Sequence, residues 1–166
     1  MKTLFKEIGK FVCVLAGAVF VALLIKSYVI DLGRVCESSM EPTYSDGEYL
    51  LINRLSYVFS SPKRNDVVIC KANINGTEHR YIKRVIGLPG ETVEIKEDGY
   101  VYINDVKIAD PYANEKIDTS LSKPMKITLE NKEYFVLGDN RNNSLDSRAK
   151  VIGPVSEELI VGKVVN

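Results

Sequence analysis

The chain has no tryptophan, one histidine and three cysteines. With His79 as the sole histidine, a serine–histidine–aspartate triad must rest on that residue or be absent. Cys13, Cys36 and Cys70 are odd in number and contain no Cys-x-x-Cys spacing, so neither a disulfide framework nor a zinc site is indicated. No metal and no cofactor is expected, and whether Cys36 and Cys70 pair stays open. Neither sign of charge is in excess: Lys plus Arg number 22 and Asp plus Glu number 22. A nucleic-acid partner would usually show as a basic excess, so none is expected. No internal repeat or low-complexity tract occurs. At 166 residues the chain has room for one domain with a real core and a small appendage.

What is present begins with an apolar segment. Phe11 to Ile25 is an uninterrupted run of apolar and small residues, and Tyr28-Val29-Ile30 extends it past Lys26 and Ser27. A bilayer needs about 20 such residues, so the stretch over 11–30 reads as a transmembrane helix. A cleavable signal peptide is the first alternative, since Lys2 and Lys6 make a positive start. No clean small-x-small site follows the run, which favours an uncleaved anchor. A buried core helix is a poor fit to so apolar a first segment. Lys2, Lys6 and Lys10 precede the run; Lys26 and Arg34 lie at or beyond its end. That bias puts residues 1–10 in the cytoplasm and 31–166 outside, with membrane lipid as a partner.

Beyond the anchor the chain is rich in short β-type runs. Glu48 to Leu55 and Val67 to Lys71 read as strands. Asn75-Gly76 signals a hairpin into Glu78 to Ile86, which Gly87-Leu88-Pro89-Gly90 breaks. Thr92 to Lys96 and Tyr100 to Ile103 alternate about Asp98-Gly99, a second hairpin. Residues 126–129, 133–137 and 159–164 complete the set, and 110–124 reads as loop. Many short strands with turn signals predict an antiparallel all-β fold.

Three stretches carry residues suited to chemistry: Glu37-Ser38-Ser39-Met40-Glu41-Pro42-Thr43, Tyr81-Ile82-Lys83-Arg84-Val85-Ile86-Gly87-Leu88-Pro89-Gly90, and Gly138-Asp139-Asn140-Arg141-Asn142-Asn143-Ser144-Leu145-Asp146-Ser147-Arg148. A serine hydroxyl needs a base to become a nucleophile, and a lysine held neutral can be that base. In strand parity Tyr81, Lys83 and Val85 share one face, Ile82 and Arg84 the other. Burial of Lys83 against Met40 and Ile82 would lower its pKa from about 10.4. Each stretch also has a plain reading: turn serines are common, and a strand lysine can simply be solvated.

In these three stretches, in this order, the chain resembles the type I signal peptidases, membrane-anchored Ser-Lys proteases that remove signal peptides from exported proteins. The resemblance covers about Lys2 to Val164. It implies a β-rich catalytic domain with a small inserted β subdomain, placed here at about 92–131. It implies Ser39 as nucleophile and Lys83 as general base. Ser144 would hydrogen-bond the lysine amine, and Asp146 and Arg148 would form an ion pair with Arg84 nearby. Met40, Tyr44 and Ile82 would line two small apolar substrate pockets that read Ala-x-Ala-like sites in secreted preproteins. Asp139 and Arg141 are expected to be structural partners. The Ser39 amide would donate to the oxyanion. A further serine hydroxyl that some members supply two positions earlier is replaced by Glu37, so the second donor is left unassigned. Asn65 and Cys70 also depart from the family pattern. His79 shares the Lys83 face, but a histidine mechanism would need a carboxylate partner. Asn75-Gly76-Thr77 matches a glycosylation pattern and reads as a turn. Two other functions are weighed: a self-cleaving Ser-Lys protease, which would be soluble and cytoplasmic, and a non-enzymatic anchored chaperone of surface-fibre assembly, which would lack nucleophile or base.

Overall fold

A computed structural model of the chain describes residues 2–165, and for 2–5 and 24–28 the backbone only. It opens with one helix, α1 (Lys2–Tyr28), and every later regular element among the described residues is a strand, apart from one 3-10 turn. The strands are β1 (Ile30–Arg34), β2 (Tyr49–Asn53), β3 (Val67–Ile74), β4 (Thr77–Gly87), β5 (Thr92–Ile95), β6 (Val101–Ile103), β7 (Val106–Lys107), β8 (Met125–Thr128), β9 (Glu133–Leu137), β10 (Val155–Ser156) and β11 (Ile160–Val164). A 3-10 turn, Glu157–Leu159, leads into β11.

The helix departs from the expected anchor. It ends at Tyr28, and Ile30, expected as its last residue, already begins β1. Among the described residues no helix is long and apolar enough to cross a membrane. Lys6, Glu7 and Lys10 occupy its first described turns. The apolar side chains described therefore run only from Phe11 to Leu23, short of the ~20 residues a bilayer requires. The rest of the expected span, residues 24–28, lies outside the described side chains. Phe11, Val14 and Phe20 are all well exposed, so no part of the domain covers this face.

Seven strands form one sheet in the order β1-β2-β11-β3-β4-β9-β10, and four form a second, β7-β6-β5-β8; every pairing is antiparallel. The β3–β4 hairpin turns at Asn75 (φ 52°) and Gly76 (φ 82°), the left-handed pair that a two-residue turn demands. The second sheet is built from strands between Thr92 and Thr128. It is tied to the first by a shared core, in which Val93, Ile95 and Ile103 pack with Ile86, Phe135 and Leu137. β10 and the 3-10 turn were not expected; two residues are too few to leave a period in the sequence.

The large sheet has two free edges that matter. β1 pairs with β2 alone, and β4 pairs with β9 only from Arg84 onward, leaving residues 77–83 bonded to β3 on one side. The sheet curls so that these edges face each other across a cleft of about 740 Å³. Asp31 of β1 and Arg80 of β4 approach to 3.8 Å across it.

Candidate active site

Ser39 sits in the turn between β1 and β2. The turn is held from several sides: the Glu41 amide donates to the Ser38 carbonyl (3.1 Å), the Asn140 amide to the Ser39 carbonyl (3.1 Å), and the Asn140 side chain to the Ser38 carbonyl (3.1 Å). Asn143 Nδ2 donates to Ser38 Oγ at 2.8 Å. Met40, fully buried beside Val35, Leu50 and Ile82, pins the turn into the core. The result is a serine only 5 % exposed.

Lys83 reaches it from β4. Its Nζ lies 2.8 Å from Ser39 Oγ and donates to the Ile82 carbonyl at 2.9 Å. The side chain is 2 % exposed. Burial pushes its pKa below the ordinary lysine value, while the charges of Asp146, Glu37 and Asp139 pull the other way. The Cys70 thiol, one strand over, is pushed by burial up to about 11, so it stays protonated and serves as packing. The Tyr81 ring covers the ammonium from 5.7 Å. Position 37, the departure noted above, has a left-handed backbone (φ 89°) and is exposed; its amide donates to Asp46.

The third stretch packs against both. Asp146 takes a two-pronged bond from Arg148 (2.8 and 2.8 Å) and also accepts from the Gly138 amide at 3.1 Å. Arg84 makes its own fork, with Asp139 (2.8 and 2.6 Å), on the face of β4 opposite Lys83. Thr43 Oγ1 donates to the same Asp139 at 2.5 Å, so this pair ties β4, the nucleophile turn and the third loop together. Arg141 bonds not Asp139 but Asp110 and the Gly138 carbonyl. Ser144 differs from expectation: its hydroxyl is buried and has no hydrogen-bond partner among the described residues, so the bond to Lys83 is not made.

Of the three expected pocket residues, only Ile82 borders the cleft. Met40 and Tyr44 lie in the core beneath it. The cleft is lined instead by Leu32 of β1 and Val35 just after it, Leu50 and Ile52 of β2, and Ile69 of β3, with Leu145 on the loop side. Proximity in sequence to the catalytic pair picked Met40 and Tyr44, but curling of the sheet decides which side chains face the hollow. Asn140 and Asn143 had no signal beyond belonging to a loop dense in turn formers. His79 is exposed, stacks on Tyr81 at 6.1 Å, and makes no hydrogen bond with Ser39 among the described residues. All three cysteines are free thiols.

A buried serine oxygen in contact with a buried amine of lowered pKa, at the end of an apolar groove between two free strand edges, is equipped for acyl transfer on an extended peptide. The family described as signal peptidase, peptidase S26, matches residues 7–166. The chain is 43 % identical over 156 residues to signal peptidase I T of Bacillus subtilis, covering 87 % of this chain and 77 % of that one. It is 33 % identical over 174 residues to signal peptidase IB of Staphylococcus aureus, with 96 % and 88 % covered. A crystal structure of a signal peptidase I from Enterococcus faecalis superposes with a TM-score of 0.52 at 34 % identity, covering 64 % of this chain and 98 % of that one.

Proposed function

The chain belongs to the signal peptidase family, peptidase S26, a family of serine peptidases, and from that premise we propose how its own residues cut a signal peptide. The observation that carries the proposal is the 2.8 Å approach of Lys83 Nζ to Ser39 Oγ inside a nearly dry site. A neutral Lys83 keeps one N–H on the Ile82 carbonyl and turns its lone pair to the Ser39 hydroxyl. Ser39 Oγ attacks the scissile carbonyl carbon and its proton passes to Nζ. The oxyanion accepts a hydrogen bond from the Ser39 backbone amide. Collapse breaks the C–N bond, and Lys83 returns the proton to the leaving amine. Water then attacks the acyl-serine, giving its proton to Lys83; collapse breaks the bond to Ser39 Oγ, Lys83 returns that proton to the oxygen, and the signal peptide leaves with a free carboxylate.

Substrate lies in the cleft as an added strand. It pairs with the free edges of β1 and of residues 79–83 and presents alternate side chains to the floor. The hollows beside Ile82 are apolar, and burying a charged group there unpaired is costly. Small residues one and three before the cut are therefore preferred, an Ala-x-Ala pattern in secreted preproteins. The exposed apolar side chains of α1 support its role as a single-pass membrane anchor, and Lys2, Lys6 and Lys10 before the run, against Lys26 and Arg34 after it, support a catalytic domain on the outer side.

The test is a detergent extract incubated with a preprotein, wild type beside Ser39→Ala and Lys83→Ala. Each substitution should abolish cleavage, with the double variant little worse than either single one, because the pair acts as a unit. Wild-type-like turnover in either variant would remove the dyad. Efficient cleavage after Leu or Lys, when the residue before the cut is scanned, would remove the pocket assignment.

A further inference from the structure

A second cavity, of about 480 Å³, is bordered by the third stretch through Arg141, Ser144 and Arg148. Ser144 lines it, while the next residue, Leu145, lines the substrate cleft, so adjacent residues of one loop border the two hollows. The two cavities differ in charge: the cleft's lining includes Asp31 and Glu37 beside Arg34, Arg80 and Lys83. The cleft floor is aliphatic; the second cavity is lined by Lys123, Arg141, Arg148 and Lys150 and by no carboxylate. Arg148 is neutralised by Asp146. Arg141 is only 2 % exposed and spends Nε on the Gly138 carbonyl and Nη1 on Asp110. Its Nη2 is buried without an acceptor. Asp110 engages through Oδ2 alone, its Oδ1 being likewise without a partner. The Ser144 hydroxyl is also unpartnered and buried. Lys123 and Lys150 are exposed and form no ion pair among the described residues. Buried donors without acceptors are uncommon and costly. Here two of them share a cavity with two uncompensated ammonium groups.

We propose that this cavity receives an acidic side chain of the substrate from the few residues after the cut, so that aspartate or glutamate there is favoured over lysine. The inference rests on the peptidase reading given above. That reading puts the residues before the cut in the apolar cleft, and an extended chain running on past Ser39 must leave on the far side. Ser144 Oγ and the Ser39 carbonyl oxygen lie 2.3 and 2.4 Å from the point that a Gly138 Cβ would occupy, so Ser144, a lining residue of the cavity, sits beside the nucleophile's own backbone. At about 3.3 Å per residue, the second to fourth residues beyond the cut fall some 7–13 Å from Ser39, the range of such a cavity. A carboxylate there would accept from Arg141 Nη2 and meet Lys123 and Lys150 at the rim.

The experiment uses the full chain in detergent and one preprotein in which the second, third and fourth residues after the cut are each set to Asp, Asn or Lys. The quantity read is the ratio of kcat/KM for Asp over Lys within one enzyme, so any general loss of activity cancels. In the wild type, at low salt, at least one position should give a ratio of about five- to tenfold, falling as salt is added. Lys123→Glu/Lys150→Glu should bring that ratio to about one or below, and the milder Lys123→Gln/Lys150→Gln should bring it part of the way. A wild-type ratio near one at all three positions, or a ratio unchanged in both double variants, would overturn the proposal. If the wild type cleaves none of the substrates, the peptidase reading falls, and this one with it. That result differs from cleavage without charge preference.

Discussion

Lys83 is a cationic side chain only 2 % exposed to solvent. Burial lowers its pKa, so the folded protein releases this proton before the unfolded chain does, whose lysine holds it to about 10.4. Between those two values the unfolded state binds more protons, and stability rises with pH; below the folded pKa the full cost of a buried ammonium is present. Two outcomes are expected. The ascending limb of the pH–rate profile should lie below free lysine and well above the carboxylate range; a limb near pH 4–5 would point to an acidic base. Lys83→Met, though inactive, should be more stable than the wild type at neutral pH, and its denaturation midpoint should lose part of the upward slope with pH. An unchanged slope would mean that the lysine is not buried in solution. Gly138 is the second demanding residue. A methyl there would sit 2.4 Å from the Ser39 carbonyl oxygen, which is backbone and cannot move without shifting the nucleophile. Gly138→Ala should lower kcat on the order of 100-fold. Gly90→Ala is the control: it meets nothing within 4 Å but has φ 79°, so it should cost about 1–2 kcal/mol in stability and leave cleavage untouched.

Among the elements, β4 does the most. One strand carries the base toward Ser39 on one face and Arg84 toward Asp139 on the other, the alternation that residues 81–85 predicted by parity alone. The partner of Arg84 was not predictable that way, because a strand pattern says which way a side chain points and not what waits there. The Arg84–Asp139 and Arg148–Asp146 pairs are buried on both sides, at 4 %/0 % and 8 %/0 % exposure. Removing one member leaves the other charge uncompensated, so Asp139→Asn, Arg84→Ala, Asp146→Asn and Arg148→Ala should each cost about 3–5 kcal/mol. Thermal melts should fall together with activity. An unchanged melting temperature in both members of a pair would place that pair at the surface. The hairpins at Asn75-Gly76 and Asp98-Gly99 were legible because turn chemistry is local; β10 was not, because two residues form a strand only where β9 offers an edge.

At the scale of the molecule, α1 and the sheet are separable. The described apolar side chains of the helix are exposed, and the cores contain only residues beyond it. A chain beginning at Ile30 should therefore keep cooperative unfolding and cleave a soluble peptide in detergent, yet no longer sediment with membranes as the full chain does. Full-length protein that fails to sediment would remove the anchor; loss of the fold on truncation would show that α1 packs on the domain. Protease added outside wall-stripped cells should digest the region after Asp31 and spare the N-terminus, and the reverse pattern would invert the orientation.

By itself the sequence determined what is local or covalent: the turns, the alternation along β4 and β5, the apolar helix, and the residue types at positions 39 and 83. Those follow from dihedral preference and strand parity, which act over a few residues. Only the tertiary structure decided what depends on curvature and loop packing. The bend of the large sheet makes Leu32, Val35, Leu50 and Ile52 cleft walls and sends Met40 and Tyr44 into the core. The fold of residues 138–148 leaves the Ser144 hydroxyl without a partner and pairs Arg84 with Asp139, across 55 positions of chain that no pattern connects.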